Sequence, residues 1–320
     1  MARFQVIMTA PALAPAACRL LEEAGCAVHM MAPYPRAPAI AALARALRAD
    51  AILCRQGQVD ARVMAAAPSL KIIARHGVGV DEVDVAAARA RGIMVTNAPG
   101  SNSAAVAEHA LALILALVKQ LKPLGAAVAQ GGWRDGANAP GDLAGKRLGL
   151  VGFGAIGQAV ARLALAFGVV VSAFDPTASP TVLPEVRRAA GLADLLGDSD
   201  ILSLHCPLTP VTHHLIDAAA LAALPSGAFV VNTARGGLID EAALRAALDA
   251  GHLGGAALDV FESEPPSSSE PLRDHPRVLI TPHAAGTTPG ALERMGVMAA
   301  ECIAARLTGA PVPRERIICG

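Results

Sequence analysis

The stretch RLGLVGFGAIGQAVARLALAFG, Arg147 to Gly168, limits what this chain can fold into more than any other. A short apolar run ends at Gly152-Phe-Gly154-Ala-Ile-Gly157, and an alanine-rich helical pattern follows at once. Strand, glycines, then helix is the order that brings the start of a helix to a bound anion. Gly152 permits the tight turn, Gly154 lets the backbone approach a pyrophosphate, and Gly157 lets the helix pack closely on the strand. The first helical amides, at Ala155 and Ile156, offer unbonded N–H groups and the positive end of the helix dipole. A second apolar run, VVVSAF, leads to Asp175, 18 residues after Gly157. An acid there bonds both hydroxyls of a ribose and repels a 2′-phosphate. No arginine follows at once in FDPTASP, so the pattern selects NAD over NADP as cofactor.

The same alternation runs from end to end. Apolar β-like runs FQVIM, AVHMM, AILC, LKIIA and IMVTN occupy the first hundred residues, with the helical patterns APAACRLLEEAG and AIAALARALRA between them. A long helix starts near Ser103 and runs to about Leu121, and the connector GGWRDG…NAPGD follows. A second series then begins: RLGLVG, VVVSAF, DILSLH, AFVVNTA, GAALDV and RVLIT, with helices such as EAALRAALDAG closed by Gly251. This is α/β architecture with two domains built on parallel sheets. A last helix, about Pro289 to Leu307, follows the final strand, and periodicity leaves open which domain it joins.

Composition narrows the partners. With 27 basic and 27 acidic residues the formal net charge is zero, so neither nucleic acid nor an anionic membrane is expected. The N-terminus MARFQVIMTA is too short for a signal region, and the most apolar stretch, Ala104–Val118, contains Glu108 and His109 and falls short of a membrane span. A cytoplasmic protein is expected. Six cysteines without CxxC spacing read as reduced thiols, not as disulfides or a zinc site.

Ligands of open α/β sheets bind beyond the carboxyl ends of the strands. Arg235 follows AFVVNTA, then Asp259, Glu262 and Glu264 follow GAALDV, and His283 follows RVLIT, in VLITPHAAG. Taken singly, these would be a surface ion pair, loop charges and a packed histidine. In the strand order 3-2-1-4-5-6 the three strands are neighbours, in the half of the sheet where a nicotinamide lies. Oxidising a 2-hydroxy acid needs a hydride to leave C2 while a proton leaves the hydroxyl. A histidine suits that proton, a nearby carboxylate orients the ring and raises its pKa, and an arginine holds the substrate's oxygens. Ala284, Ala285 and Gly286 leave room for the nicotinamide.

At this point the chain resembles the D-isomer-specific 2-hydroxyacid dehydrogenases, nearest to D-3-phosphoglycerate dehydrogenases and hydroxypyruvate or glyoxylate reductases. The segments that carry the resemblance are RHGVGVDEVD, NAPGSNSAAVAEHALALILAL, VGFGAIG, VNTARGGLIDEAAL, GAALDVFESEP and TPHAAG. It implies that Arg235, Glu264 and His283 are the catalytic residues and that Asp259 contacts the nicotinamide. It places Val106, His205, Pro207, Thr212, Ala234 and Gly286 along the cofactor groove. It assigns the substrate carboxylate to the amides of Val78 and Gly79, with Arg75 and Arg55 beside them; His76 and Val78 occupy variable positions of that loop. The resemblance further implies two Rossmann-like domains: a doubly wound NAD-binding domain, 101–284, inserted into a flavodoxin-like substrate domain, 1–100 and 285–320. The active site would lie in the cleft between them, and family members are commonly homodimers.

The chain stops at Gly320, so the regulatory serine-binding domain of longer phosphoglycerate dehydrogenases is not expected. Other small anions, phosphite or formate, are alternative substrates, although formate-type relatives generally carry glutamine where Glu264 stands. A binding protein that senses NAD(H), like the corepressors of this superfamily, is the other alternative; those usually carry extended tails. His109 in the long helix and the adjacent pair His213 and His214 read as structural. No His/Cys/Asp spacing suggests a metal, and no GxSxG or SxxK motif supports a covalent nucleophile.

Overall fold

The structure is a computed structural model that describes residues 3–133, 139–177, 183–268 and 270–320. Parts of the GGWRDG…NAPGD connector, of FDPTASP and of the EPPSSSEP loop lie outside the described residues. The described strands are β1 (Phe4–Met8), β2 (Cys26–Met30), β3 (Ala51–Cys54), β4 (Ile72–Arg75), β5 (Met94–Thr96), β6 (Arg147–Val151), β7 (Val170–Phe174), β8 (Arg187–Arg188), β9 (Ile201–Leu204), β10 (Phe229–Asn232), β11 (Gly255–Leu258), β12 (Val278–Ile280) and β13 (Ile317–Cys319). They form two sheets in two compact units. One unit is Met1–Asn102 with Thr287–Gly320, and the other is Ser103–Gly286.

The first unit's sheet has the order β13-β5-β4-β3-β1-β2. Every pairing is parallel except β13 with β5. Its strands are apolar on both faces because both are covered. Ile52 and Ile73 face one core with Ile40 and Val63, while Ala51, Leu53 and Ile72 face the other with Leu21 and Ile303. The final helix, Pro289–Thr308, buries Met295, Ala299 and Ile303, the last two within this second core, which assigns it to the first unit. Thr288 caps its start by accepting from the Ala291 amide, and Gly309, at φ 84°, ends it.

The second unit's sheet is β12-β11-β10-β9-β6-β7-β8, all parallel. Counted within the unit, its first six strands follow the order 3-2-1-4-5-6, and β12 extends the far edge. Alternate residues face opposite cores. Val231 and Ala257 pack with Ile114 and Val160, while Val230, Ala256 and Leu258 pack with Leu244 and Leu248. The long helix spans Ser103–Val118 and stops earlier than its apolar run suggests. Gln120 adopts a left-handed backbone, φ 54°, and starts a second helix at Leu121. Among the described residues, no single helix is long and apolar enough to cross a membrane.

Candidate active site

The glycine loop joins β6 to the helix Ala155–Ala166. Gly152 has φ 93°, a conformation open to glycine, and a Cβ there would lie 2.7 Å from the His205 carbonyl and the Cys206 amide. A Cβ on Gly157 would stand 2.3 Å from the Gly152 carbonyl oxygen. Gly154 caps the helix without a side-chain hydrogen bond and has open space in front of its Cα. Gly154 and Ala155 are exposed and Ile156 is half-buried, so the helix start is bare. Asp175 stands beyond β7, where its Oδ2 accepts from the Phe153 amide at 2.8 Å. His205, after β9, shares a hydrogen bond between Nε2 and the Ser203 hydroxyl at 2.9 Å. Its buried Nδ1 has no partner among the described residues. Burial pushes the His205 pKa down to about 4, so the ring is neutral. A bare helix start, an acid at the second strand end and an unsatisfied neutral imidazole fit a dinucleotide.

One residue on this rim was not anticipated. Arg188, on the short strand β8, donates from Nη2 to the Asp175 carbonyl at 3.1 Å and lies over the Phe153 ring, 5.4 Å from its centroid. No arginine follows Asp175 at once in sequence, but the sheet edge brings Arg188 back to it.

At the other half of the same sheet, β10, β11 and β12 are neighbours. Asn232, buried at the end of β10, shapes the turn that carries Arg235. Its Oδ1 accepts from the Ala234 amide at 3.0 Å and its Nδ2 donates to the Arg235 carbonyl at 2.8 Å. The Arg235 Nη1 donates to the Ala234 carbonyl at 2.7 Å, which anchors one edge of the guanidinium. Gly236 then touches the loop beyond β11: a Cβ there would lie 1.8 Å from the Phe261 carbonyl carbon and 2.1 Å from the Glu262 amide.

Glu264 lies on that loop and is held by nearby backbone, with Oε1 accepting from the Phe261 amide at 3.1 Å. Its other oxygen, Oε2, meets His283 Nδ1 at 2.7 Å. An ionised carboxylate only accepts, so Nδ1 carries the proton and Nε2 presents its lone pair outward. The hydrogen bond to Glu264 is the largest influence on His283; it raises the pKa above the ordinary histidine value against the effect of burial. For Glu264, burial is the largest influence and pushes upward, yet the hydrogen bond and charge of His283, the Phe261 amide and Arg235 together hold it below the usual range. Arg235 is thus near enough for its charge to bear on both partners.

His283 has a left-handed backbone, φ 51°. Asp259, fully buried, builds the loop that holds it there. Asp259 Oδ1 accepts from the Thr281 hydroxyl at 2.5 Å and the Ala284 amide at 2.8 Å, and Oδ2 accepts from the Ala285 amide at 2.9 Å. The Asp259 carbonyl accepts from the His283 amide at 2.7 Å. A nicotinamide contact was expected of Asp259; its carboxylate in this structure holds the His283 loop. His109, read from sequence as structural, reaches the same group through Nε2, 3.0 Å from the Thr281 hydroxyl and 3.6 Å from Asp259 Oδ1.

The remaining groove residues fall in the same unit. Val106 is buried in the helix Ser103–Val118, and Ala234 and Gly286 are half-buried, close in sequence to Arg235 and His283. Pro207 and Thr212 close one turn, with the Thr212 hydroxyl donating to the Pro207 carbonyl at 2.7 Å.

In the first unit, the loop after β4 has its carbonyls taken and its amides left over. Asn97 Nδ2 donates to Val78 O at 2.7 Å, the Ala98 amide to Gly77 O at 2.9 Å, and Arg75 Nε to Gly79 O at 2.9 Å. Among the described residues, the amides of Val78 and Gly79 have no acceptor. Arg75 also donates from Nη1 to the carbonyls of Cys54 and Arg55 at 2.8 Å and pairs with Glu82 at 2.7 Å. A direct substrate contact was expected of Arg75; in this structure its guanidinium pins the loop. Arg55 follows β3, with its amide on the Thr9 hydroxyl at 2.9 Å. Buried His76 has its pKa lowered to about 4, by burial first and then by the charge of Arg55.

Two α/β units, one with a dinucleotide loop and a histidine–carboxylate pair on a single sheet, define a dinucleotide-binding α/β protein with an acid/base pair at its strand ends. Residues 111–285 match the family model "D-isomer specific 2-hydroxyacid dehydrogenase, NAD binding domain". The chain is 46% identical over 273 residues to D-3-phosphoglycerate dehydrogenase of Mycobacterium tuberculosis, covering 85% of this chain and 52% of that one. It is 38% identical over 322 residues to glyoxylate reductase of Thermofilum pendens, covering 98% and 94%. A crystal structure of a Thermus thermophilus protein shares the fold at a TM-score of 0.90 and 38% identity, covering 98% and 99%. The chain belongs to the D-isomer-specific 2-hydroxyacid dehydrogenase family. It spans about half the length of the curated phosphoglycerate-type relatives that it matches.

Proposed function

We propose that this protein interconverts a small D-2-hydroxy acid and its 2-oxo acid with NAD, the substrate being of the 3-phosphoglycerate, hydroxypyruvate or glyoxylate type. The observation that carries the reading is the 2.7 Å pair of His283 Nδ1 and Glu264 Oε2, which leaves Nε2 facing outward at the strand end. NAD, when bound on the glycine loop, supplies the hydride acceptor or donor. His283 Nε2 takes the hydroxyl proton during oxidation and returns it to the carbonyl oxygen during reduction. Glu264 holds the ring and stabilises the imidazolium. Arg235 presents its guanidinium to the substrate's oxygens. The amides of Val78 and Gly79 suit a carboxylate, as a backbone nest does. A panel of hydroxypyruvate, glyoxylate, pyruvate and phosphohydroxypyruvate with NADH and NADPH, followed by loss of absorbance, tests it. Turnover of at least one acid is expected, and none with any acid overturns the reading.

The same reading makes the protein a cytoplasmic homodimer. The helix Leu121–Ala129 buries none of its residues and exposes Leu121 and Val128, and Trp133 beyond it is 75% exposed. Such apolar surface suits a second copy of the chain. Sedimentation equilibrium showing twice the chain mass supports this, and a concentration-independent monomer overturns it.

A further inference from the structure

Two histidines of the second unit lie on either side of one buried carboxylate. The loop that carries His283 takes up both Asp259 oxygens through the amides of Ala284 and Ala285. From the helix Ser103–Val118, His109 brings Nε2 to 3.0 Å from the Thr281 hydroxyl and 3.6 Å from Asp259 Oδ1. No step of the proton or hydride transfer uses His109 directly.

Packing alone does not call for a histidine at this position. Its neighbours three and four residues away on the helix, Ala105, Val106 and Leu113, are buried and apolar, and the His109 side chain is itself only 25% exposed. Leucine would continue that stripe. A polar ring in such a stripe costs free energy unless it is hydrogen-bonded, and the partner that His109 meets is the Thr281 hydroxyl.

The direction of that bond follows from the protons available. The Thr281 hydroxyl has one proton, and Asp259 Oδ1, 2.5 Å away, belongs to a carboxylate that only accepts. The hydroxyl therefore donates to Asp259, and its lone pair accepts from His109 Nε2, which must carry hydrogen. Bonds that run in one direction, from His109 through Thr281 to Asp259, polarise and strengthen each other. Thr281 is also tied down through its backbone. Its amide donates to Leu258 O at 3.0 Å, and its carbonyl accepts from the His283 amide at 3.1 Å. The residue whose hydroxyl His109 holds is thus the one against which the His283 backbone rests. His283 needs that support, because its left-handed conformation, φ 51°, persists only where the surroundings impose it.

We propose that His109 is a positioning residue for the proton transfer: through Thr281 and Asp259 it holds His283 against Glu264. Its catalytic consequence rests on the dehydrogenase reading, whereas its hold on the His283 ring does not.

The test uses the full chain and four variants, H109L, H109Q, T281V and H109L/T281V, each checked for folding by circular dichroism. Leucine suits the apolar stripe and removes the donor. Glutamine carries its own Nε2 the same number of bonds from Cβ and keeps the donor. Valine has the shape of threonine without the hydroxyl. NMR titration of the His283 ring, assigned by its loss in H283A, reads the pairing with Glu264 without any substrate. Glu264, Arg235 and Asp259, the charged groups that act on this ring, are intact in all four variants, so a moved midpoint reports a change in their spacing. The wild-type midpoint lies above the ordinary histidine value. H109L is expected to lower it and H109Q to keep it. In reduction of the preferred 2-oxo acid, H109L should lose at least about fivefold in kcat with the KM for NADH little changed, and H109Q should stay within about threefold of wild type. H109L/T281V should be no slower than T281V, since both changes break one chain of bonds. A wild type inactive towards every acid would overturn the dehydrogenase reading, and the ring titration would then decide the role of His109 alone. A His283 titration or a kcat unmoved in H109L, a loss shared equally by H109Q, or single losses that multiply in the double variant would overturn the proposal.

Discussion

His283 and Glu264 meet at 2.7 Å through Nδ1 and Oε2, and each holds the other in its charged form. That coupling fixes the direction of the pH response. Oxidation needs neutral His283, so its rate should rise through a pKa above the ordinary histidine value of about 6.5, and reduction should persist to the same elevated pH. Glu264→Gln removes the carboxylate that raises the pKa. Both limbs should then move to lower pH, read from kcat/KM in each direction. Unmoved limbs would detach Glu264 from the titration.

The Asp259 carboxylate accepts three hydrogen bonds from the Thr281–Ala285 loop while fully buried. Asp259→Asn turns an amide N–H against a donor and should cost about 1–3 kcal/mol in stability. It should also lower kcat more than it raises the KM for NADH, because His283 loses its support. If only the KM for NADH changes, the residue is a cofactor contact alone.

Gly236 and Gly154 make opposite predictions from the same substitution. An added methyl on Gly236 meets backbone of Phe261 and Glu262 at 1.8–2.2 Å, so Gly236→Ala should cost about 1–3 kcal/mol and lower kcat by separating Arg235 from Glu264. Gly154 has open space in front of it. Gly154→Ala should leave the unfolding midpoint nearly unchanged and raise the KM for NADH, since the methyl stands where the pyrophosphate approaches.

Asp175 and Arg188 together set the preference between cofactors. Asp175→Ser removes the charge that repels a 2′-phosphate and leaves Arg188 nearby, its Nη2 on the Asp175 carbonyl. The ratio of kcat/KM for NADPH to that for NADH should rise at least about tenfold, equivalent to about 1.4 kcal/mol. Arg188→Ala in that background should remove most of the gain. A gain independent of Arg188 would assign it to lost repulsion alone.

The parts of this site that follow from periodicity and topology were legible in the sequence. Apolar runs located the strands, and the rule that ligands bind beyond strand ends gathered Arg235, Glu264 and His283 on one rim. What stayed hidden depends on contacts between distant residues or on unusual backbone. His109 meets Thr281 across 172 residues of chain. Arg188 returns to Asp175 only because a two-residue strand forms at the sheet edge. The antiparallel strand β13 carries too few residues for a pattern. Left-handed conformations at Gln120, His214 and His283 break or redirect elements at residues that are not glycine, where sequence carries no warning.

The catalytic roles proposed for Glu264 and Asp259 depend on His283 carrying the substrate's proton. The decisive quantity is kcat for reduction of the preferred 2-oxo acid by wild type and His283→Ala, with NADH saturating and folding checked by circular dichroism. Loss of about 10²–10⁴-fold in kcat, with the KM for NADH little changed, is the expected result. A variant that retains full kcat and the wild-type pH profile would remove His283 from the proton transfer.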